Sequence, residues 1–414
     1  MNLNIDNAKK TINRLSGLLV TYSTLIIGIL ILVALIIWGT NKMSLDERNC
    51  KNMNALTKIL KPTKIVNFNP KYQPGVGVLS SAQGEIEPYR RLGDFFIKSS
   101  YNSCCAGNFK NDFVNICALK NCILQGARGL DFEVYSINDN PCIAASSVNN
   151  NSIKETYNHV PFSEALNEIS NYAFSESLSN KGDPIFINLR IMSKNKTIYT
   201  KMANELERIL GSRLLKNCNS YNNHDTNIAD IPIGSLIEQD GEDAQPARVV
   251  VFADFEYEDE AFIKSTKLWQ YVNAAANDKS TPFYTVSYFN TVKNEHPDDM
   301  IKYNTMNMSM CIPDLAEKAK NYDYTIPMSV GCQFIAMSFQ KEDPHMQGYT
   351  DFFNKYSSAI VRKDVIDPKL LAIRTCIKKV KKPPNYLKPL SWNANEDSTL
   401  DEKFVGDANL KFSI

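Results

Sequence analysis

Pro184-Ile-Phe-Ile-Asn-Leu-Arg-Ile191 and Arg248-Val-Val-Val-Phe-Ala-Asp254 are short apolar runs with little polar alternation. A strand that alternates buries one face. One that does not is covered on both, as in a parallel sheet under helices. Working outward, strands read at residues 94–100, 129–136, 141–146, 283–288, 306–312 and 331–339 as well. Helical patterns fall between most of them. Ser163 is placed to cap a helix carrying Leu166, Ile169 and Ala173. Residues 200–210 put Met202, Leu206 and Ile209 on one face, with Gly211 as a stop, and 260–277 and 299–304 are further helices. Eight strands with intervening helices over about 250 residues predict an α/β fold, a (β/α)8 barrel. The doubly wound open sheet is the alternative, but no Gly-x-Gly-x-x-Gly turn follows the first strand.

The chain has 414 residues, with 46 Lys and Arg against 45 Asp and Glu. That balance excludes a broadly basic nucleic-acid coat, and no nucleic-acid partner is expected. Ten cysteines are too sparse for a small disulfide scaffold, and no Cys-x-x-Cys pair offers a zinc site. Packed thiols with at most one or two disulfides are expected. Asn150, Asn195 and Asn307 stand in Asn-x-Ser/Thr sequons, which chance supplies in an Asn-rich chain.

Residues 15–41 hold no charge, and Leu18 to Trp38 are almost wholly apolar. About 20 such residues span a hydrocarbon layer as a helix, the only unclosed structure that pairs its own backbone there. A cleaved signal peptide would have a shorter apolar core and a small-residue cleavage site. Lys9, Lys10 and Arg14 precede the span, while Lys42 follows it, then Asp46, Glu47 and Arg48. The positive-inside bias predicts a single-pass protein of a membrane, viral or organellar among the choices, with residues 1–14 cytosolic and the bulk beyond the bilayer. Residues 42–87 read as a linker broken by Pro62, Pro70 and Pro74, 88–374 as the barrel, and 375–414 as a basic, polar tail.

Three segments carry a family likeness. Asp94-Phe-Phe-Ile-Lys-Ser-Ser-Tyr-Asn-Ser103 is similar to Tyr-Phe-Ile-Asn-Ser-Ser-His-Asn-Thr of the eukaryotic-type phosphoinositide-specific phospholipases C. Gly126-Ala-Arg-Gly-Leu-Asp-Phe-Glu-Val-Tyr135 is similar to that family's Gly-Cys-Arg-Cys-Leu-Glu-Leu-Asp-Val-Trp. Asn321-Tyr322, followed by Gly331-Cys-Gln-Phe-Ile-Ala-Met-Ser-Phe-Gln340, resembles Asn-Tyr and Gly-Cys-Gln-Met-Val-Ala-Leu-Asn-Phe-Gln. The resemblance runs over about residues 88–370, in the family's order. It implies a distorted TIM barrel of the PLC-like phosphodiesterase type, with its site at the C-terminal ends of the strands.

The resemblance also implies chemistry that these residues do not supply. The family uses two histidines as base and acid and Ca²⁺ to neutralise the phosphate. The first His position is Tyr101, whose ordinary pKa of about 10 makes a poor base. The second is Ala145, which transfers no proton; an insertion at 149–156 lies beside it. Of the metal ligands, Asn102 matches and Asp131 and Glu133 fill an acidic pair with the two acids exchanged. Arg190 stands at the fourth ligand position, and a guanidinium donates only. The expectation is Arg190 salt-bridged to Asp131 or Glu133 in place of Ca²⁺, hence no cofactor. An ordinary pair held by Arg128 or Arg190 and residual metal binding carry similar weight.

Substrate-side lysines of the family fall at Phe252 and Asp254, and its Arg-x-Tyr at Met310 and Ile312. Ser287 matches a retained substrate-side Ser. Rescue by His159 and His345, each at a candidate active face, would require the two to converge; His224 and His296 complete the histidines. The reading leans against an enzyme. It expects a membrane-anchored pseudo-phosphodiesterase with a structural role, holding the lipid bilayer and a phosphoinositide head group or protein partner. The runner-up is a divergent phosphoric diester hydrolase of lipid metabolism, and a purely lipid-binding barrel is third. The family's accessory domains find too little chain before 88 or after 370. That plan, with Asn/Lys/Ile-rich composition, resembles such proteins of large DNA viruses or AT-rich protists.

Overall fold

The computed structural model describes residues 2–60, 65–68, 72–73, 77–78, 90–148, 153–215, 227–237, 248–255, 264–276, 283–294 and 297–365. The expectations for Asn150, His224, His296 and the tail 375–414 lie outside them. The chain divides into two units, Met1–Arg48 and Asn49–Ile414.

The first unit is helix α1 (Asn2–Met43), longer at both ends than the expected span. Its large apolar side chains from Leu15 to Trp38 are exposed on every face. Thr21, Ser23 and Thr24 donate their hydroxyls to the carbonyls of Gly17 and Val20 at 2.9–3.0 Å. Those bonds spare the helix a polar group that lipid could not satisfy. The helix is long and apolar enough to cross a membrane.

Where a linker was expected, helix α2 (Leu45–Leu60) runs instead. Its buried Asn49, Met53, Thr57 and Leu60 recur at helical spacing on one face. From Asn49 on, the helix belongs to the second unit.

That unit holds a small antiparallel pair, Tyr72–Gln73 with Gly77–Val78, and a main sheet whose strands are β1 (Phe95–Ser100), β2 (Gly129–Ile137), β3 (Asn140–Ala144), β4 (Val160–Pro161), β5 (Ile185–Ile191) and β6 (Val249–Phe255). They continue as β7 (Ala274–Ala275), β8 (Phe283–Ser287), β9 (Met308–Ile312), β10 (Phe334–Met337) and β11 (Ile360–Arg362). The order β8-β9-β10-β1-β2-β5-β6-β7 is parallel throughout. Among the described residues no ladder joins β7 to β8, so the eight-stranded barrel is nearly closed. Helices α3 (Ile116–Leu124), α4 (Phe162–Tyr172), α5 (Lys196–Ile209), α6 (Tyr288–Val292), α7 (Pro297–Met306), α8 (Thr325–Ser329) and α9 (Pro344–Lys355) fill the crossovers.

Two assignments change. The strand expected at 141–146 is β3, an antiparallel hairpin partner of β2 outside the barrel path. The eighth barrel strand is β7, inside the stretch 260–277 read as a helix. Two residues are too few to show a period, and the Ala274–Ala275 pair favours helix by propensity alone. Ser163 does not cap α4; Pro161 precedes that helix without a side-chain cap. Asn195, a sequon residue, caps α5 by accepting from Thr197 N.

Inside the barrel, Phe186, Phe252, Phe283 and Phe334 from four strands interlock, with Phe252 stacked on Phe283 at 4.0 Å. This aromatic layer fills the interior, so the barrel is a packed core and not a pore. Polar side chains sit one layer nearer the C-terminal ends of the strands.

Candidate functional site

Parallel register builds the polar layer. β2 and β5 pair Asp131 with Asn188 and Glu133 with Arg190. Side chains two apart share a face, so Asp131, Glu133, Asn188 and Arg190 all project inward. Just past β1, Asn102 adopts a left-handed backbone (φ 41°) and its N–H donates to Asp131 Oδ2 at 3.1 Å. Asn tolerates that conformation better than most residues.

Arg190 is the hub. Its Nε and Nη2 donate to the two oxygens of Asp131 at 2.9 and 2.7 Å, a bidentate grip. Nη1 reaches Glu133 Oε1 at 2.9 Å, and Nη2 also reaches Asn102 Oδ1 at 2.9 Å. The ion pairing expected for Arg190 therefore involves both acids. Asp131 receives two more bonds, from Asn102 N and Asn188 Nδ2. Glu133 receives three more, from Asn102 Nδ2, Tyr135 Oη and Ser146 N. Each carboxylate thus accepts four hydrogen bonds, the full capacity of its lone pairs.

The centre is dry: Arg190, Asp131 and Glu133 are each 1% exposed or less. Burial alone would drive the guanidinium toward neutrality, but Asp131, Tyr101 and Glu133 hold its pKa well above the ordinary value. Burial raises the Tyr101 phenol far above its usual range, and Glu133 and Asp131 raise it further against Arg190. Tyr101 serves as packing: its ring lies 4.9 Å from the guanidinium and meets Phe109 edge-on at 5.3 Å. Ala145 offers only backbone groups: its carbonyl accepts from Glu155 N and Thr156 N, and its N–H donates to Thr156 Oγ1 at 3.5 Å.

Hard cations need several free oxygens. Here Asn102 Oδ1 and both acids are engaged by an internal cation. Among the described residues no group of three or more His, Cys, Asp or Glu offers another seat.

The other expected positions carry no substrate cation. Phe252 belongs to the aromatic layer, and Met310 and Ile312 are buried apolar residues. Ser287 has a structural job: its Oγ accepts from Asn290 N as the cap of α6, and it hydrogen-bonds Asp314. His159 and His345 do not converge. His159 is exposed in the loop before β4, while His345 lines a cavity of about 240 Å³ with Tyr288, Asp314, Lys318, Lys320 and Tyr322. In that cavity burial raises the Asp314 pKa to about 6.

Sequence reasoning missed Asn188 and Tyr135. Each stands two residues from a recognised position on the same strand, which was the available signal. It also missed which cysteines pair. Cys50 and Cys117 form a disulfide with Cα atoms 6.0 Å apart, and Cys104, Cys105, Cys122, Cys142, Cys311 and Cys332 are buried free thiols.

A nearly closed parallel α/β barrel with its polar centre at the C-terminal ends of the strands defines the class. Residues 90–229 match the family model described as phosphatidylinositol-specific phospholipase C, X domain. In this region the chain is similar to that domain. Among solved structures it is similar to L. pealei PLC21 (16% identity, TM-score 0.49) and S. officinalis PLC21 (17%, TM-score 0.49), each match covering 66% of this chain and 37% of the other. It is also similar to a calcium-dependent phosphoinositol-specific phospholipase C from a Pseudomonas sp. (8%, TM-score 0.37, covering 66% of this chain and 96% of that one). The chain therefore spans little more than a third of the two PLC21 proteins. No curated protein matches it.

Proposed function

We propose that this chain is a membrane-anchored phospholipase C-like barrel whose phosphodiester-cleaving centre has been replaced by an internal ion-pair network. In this reading it serves a structural or binding role at a membrane, toward a phosphoinositide head group or a protein partner. One observation carries the reading: Arg190 occupies Asn102, Asp131 and Glu133 together, and no lone pair of either acid is left for a metal. General acid–base catalysis needs a group that trades protons near neutral pH within reach of substrate. A buried phenol pushed up in pKa and an alanine methyl do not meet that need.

Localisation follows the same reading. The apolar helix anchors the chain once, with residues 1–14 in the cytosol. The disulfide supports placing the barrel across the membrane, because such bonds persist in oxidising compartments.

A divergent phosphoric diester hydrolase is the second reading, favoured by the X-domain match and by a fixed cation at the barrel mouth. The two separate in one assay: the purified chain with phosphatidylinositol and its phosphates, in Ca²⁺ or EGTA. No turnover in either condition is the expected result. Turnover that Tyr101→Phe or Arg190→Ala abolishes would overturn the proposal.

A further inference from the structure

The segment 104–115 leaves the C-terminal end of β1 and crosses the barrel mouth. It is tied to the loops that follow other strands. Phe109 N donates to Glu317 O at 3.0 Å, and Asn111 N to Glu155 O at 3.0 Å. Gln340 Nε2 donates to Gly107 O, and Lys110 pairs with Glu317 at 2.7 Å and Glu155 at 3.4 Å. On its inner side Phe109 covers Tyr101, which covers Arg190. The segment is the roof of the polar centre.

Helix α2 is tied to this roof once directly and once through the first turn of α3, which follows it. Asn49 Nδ2 donates to Asp112 Oδ1 at 2.7 Å, a buried bond. The same Asp112 folds the roof by accepting from Asn108 N and Phe113 N. Gly107 lets the three come together: a Cβ there would lie 2.3 Å from Asp112 Oδ2 and 2.5 Å from Asn49 Nδ2. The second tie is the Cys50–Cys117 bond, one helical residue beyond Asn49 and in the first turn of α3, two residues beyond the roof's last. Cys50 and Cys117 are also the only described cysteines that solvent reaches; the six free thiols are buried.

We propose that α2 and segment 104–115 form a disulfide-locked roof, and that opening Cys50–Cys117 releases it from the barrel mouth. The reductant is a dithiol. Its thiolate attacks one sulfur and forms a mixed disulfide, and its second thiol resolves that bond. Two electrons and two protons end on the two Sγ atoms, and the dithiol leaves as a cyclic disulfide. With the bond open, α2 retains only its hydrogen bonds and packing, and the roof fluctuates on its rim contacts. The device works whether or not the centre turns over substrate.

The test uses the full chain in detergent micelles, purified without reductant. Differential alkylation with mass spectrometry is expected to find residues 50 and 117 in one linked peptide. Free thiols at both overturn the proposal. Hydrogen exchange then compares the oxidised chain, the chain in dithiothreitol, and Cys50→Ser/Cys117→Ser. Exchange across 104–115 is expected to rise at least tenfold on opening, while 185–191 stays protected. Asn49→Asp keeps the disulfide but sets a carboxylate against Asp112, and is expected to raise exchange in the same segment. Unchanged exchange across 104–115 overturns the lock. An equal rise in 185–191 does so too, because the bond would then serve global stability and not the roof.

Discussion

At the scale of single residues, Arg190 separates a buried charge that is matched from one that is merely hidden. Three of its four donated bonds answer two buried carboxylates, and the fourth goes to the Asn102 amide oxygen. Removing one partner of such a cluster strands the others, which costs about 3–5 kcal/mol. Arg190→Leu is expected to destabilise the chain by that amount in chemical denaturation. Adding Asp131→Asn and Glu133→Gln recovers much of the loss, since no uncompensated charge remains. Lys98 shows the reverse case. It is wholly buried on β1, its Nζ donates to Gln125 O at 2.8 Å, and burial lowers its pKa to about 7. The unfolded chain titrates that amine near 10.4. Between pH 7 and roughly 10 the unfolded state therefore binds more protons, and stability rises with pH across that window. Below pH 7 both states are protonated and the slope vanishes. Lys98→Met is expected to raise the melting temperature at pH 7 and to flatten the rise toward pH 10, read by thermal unfolding at stepped pH. Lys363, also lowered to about 7 by burial, leaves a residual slope in the variant.

At the scale of elements, the sequence was legible wherever burial imposes a pattern, a helical period or an unbroken apolar run. The parallel strands β5 and β6 stood out because both their faces are covered. The polar layer followed from strand alignment, since residues two apart share a face. What stayed illegible was short or tertiary. β7 has two residues, and α2 sits in a stretch whose prolines promised a connector. Cys50 and Cys117 lie 67 residues apart, with nothing local to join them. The close approach of β1 and β2 was equally silent, although it rests on one residue. A Cβ on Gly129 would lie 2.3 Å from Ser99 Oγ, 2.9 Å from Ser99 Cβ and 3.1 Å from the Phe334 ring. Overpacking of this kind costs about 1–3 kcal/mol. Gly129→Ala is expected to lose that much in denaturant titration. Ser99→Gly in the same chain restores part of it by vacating the contact. Were the loss unaffected by Ser99→Gly, the clash would not be its cause.

At the scale of the whole molecule, the proposed membrane anchor is what the long apolar helix bears on. The stretch from Leu18 to Trp38 rises about 31 Å as a helix, close to the hydrocarbon thickness of about 30 Å. The Thr21, Ser23 and Thr24 hydroxyls are satisfied within the helix and its apolar side chains face outward all round, so no protein surface is needed to bury them. A charge at the centre of such a span costs about 2.5–3.5 kcal/mol. Ile29→Lys with Leu32→Lys therefore asks for about 5–7 kcal/mol, enough to oppose insertion. The full chain is expected to stay with membranes after alkaline carbonate extraction, and the double variant to be released. Orientation rests on a small charge margin, so it is tested separately. Lys9→Glu, Lys10→Glu and Arg14→Glu together are expected to weaken the preference for a cytosolic N-terminus, read by protease protection of the barrel in sealed vesicles. In cells that form disulfides only outside the cytosol, the inverted fraction would also lack the Cys50–Cys117 bond. Protected barrels should then carry the bond and accessible ones free thiols. A bond present equally in both fractions would detach the disulfide from membrane topology.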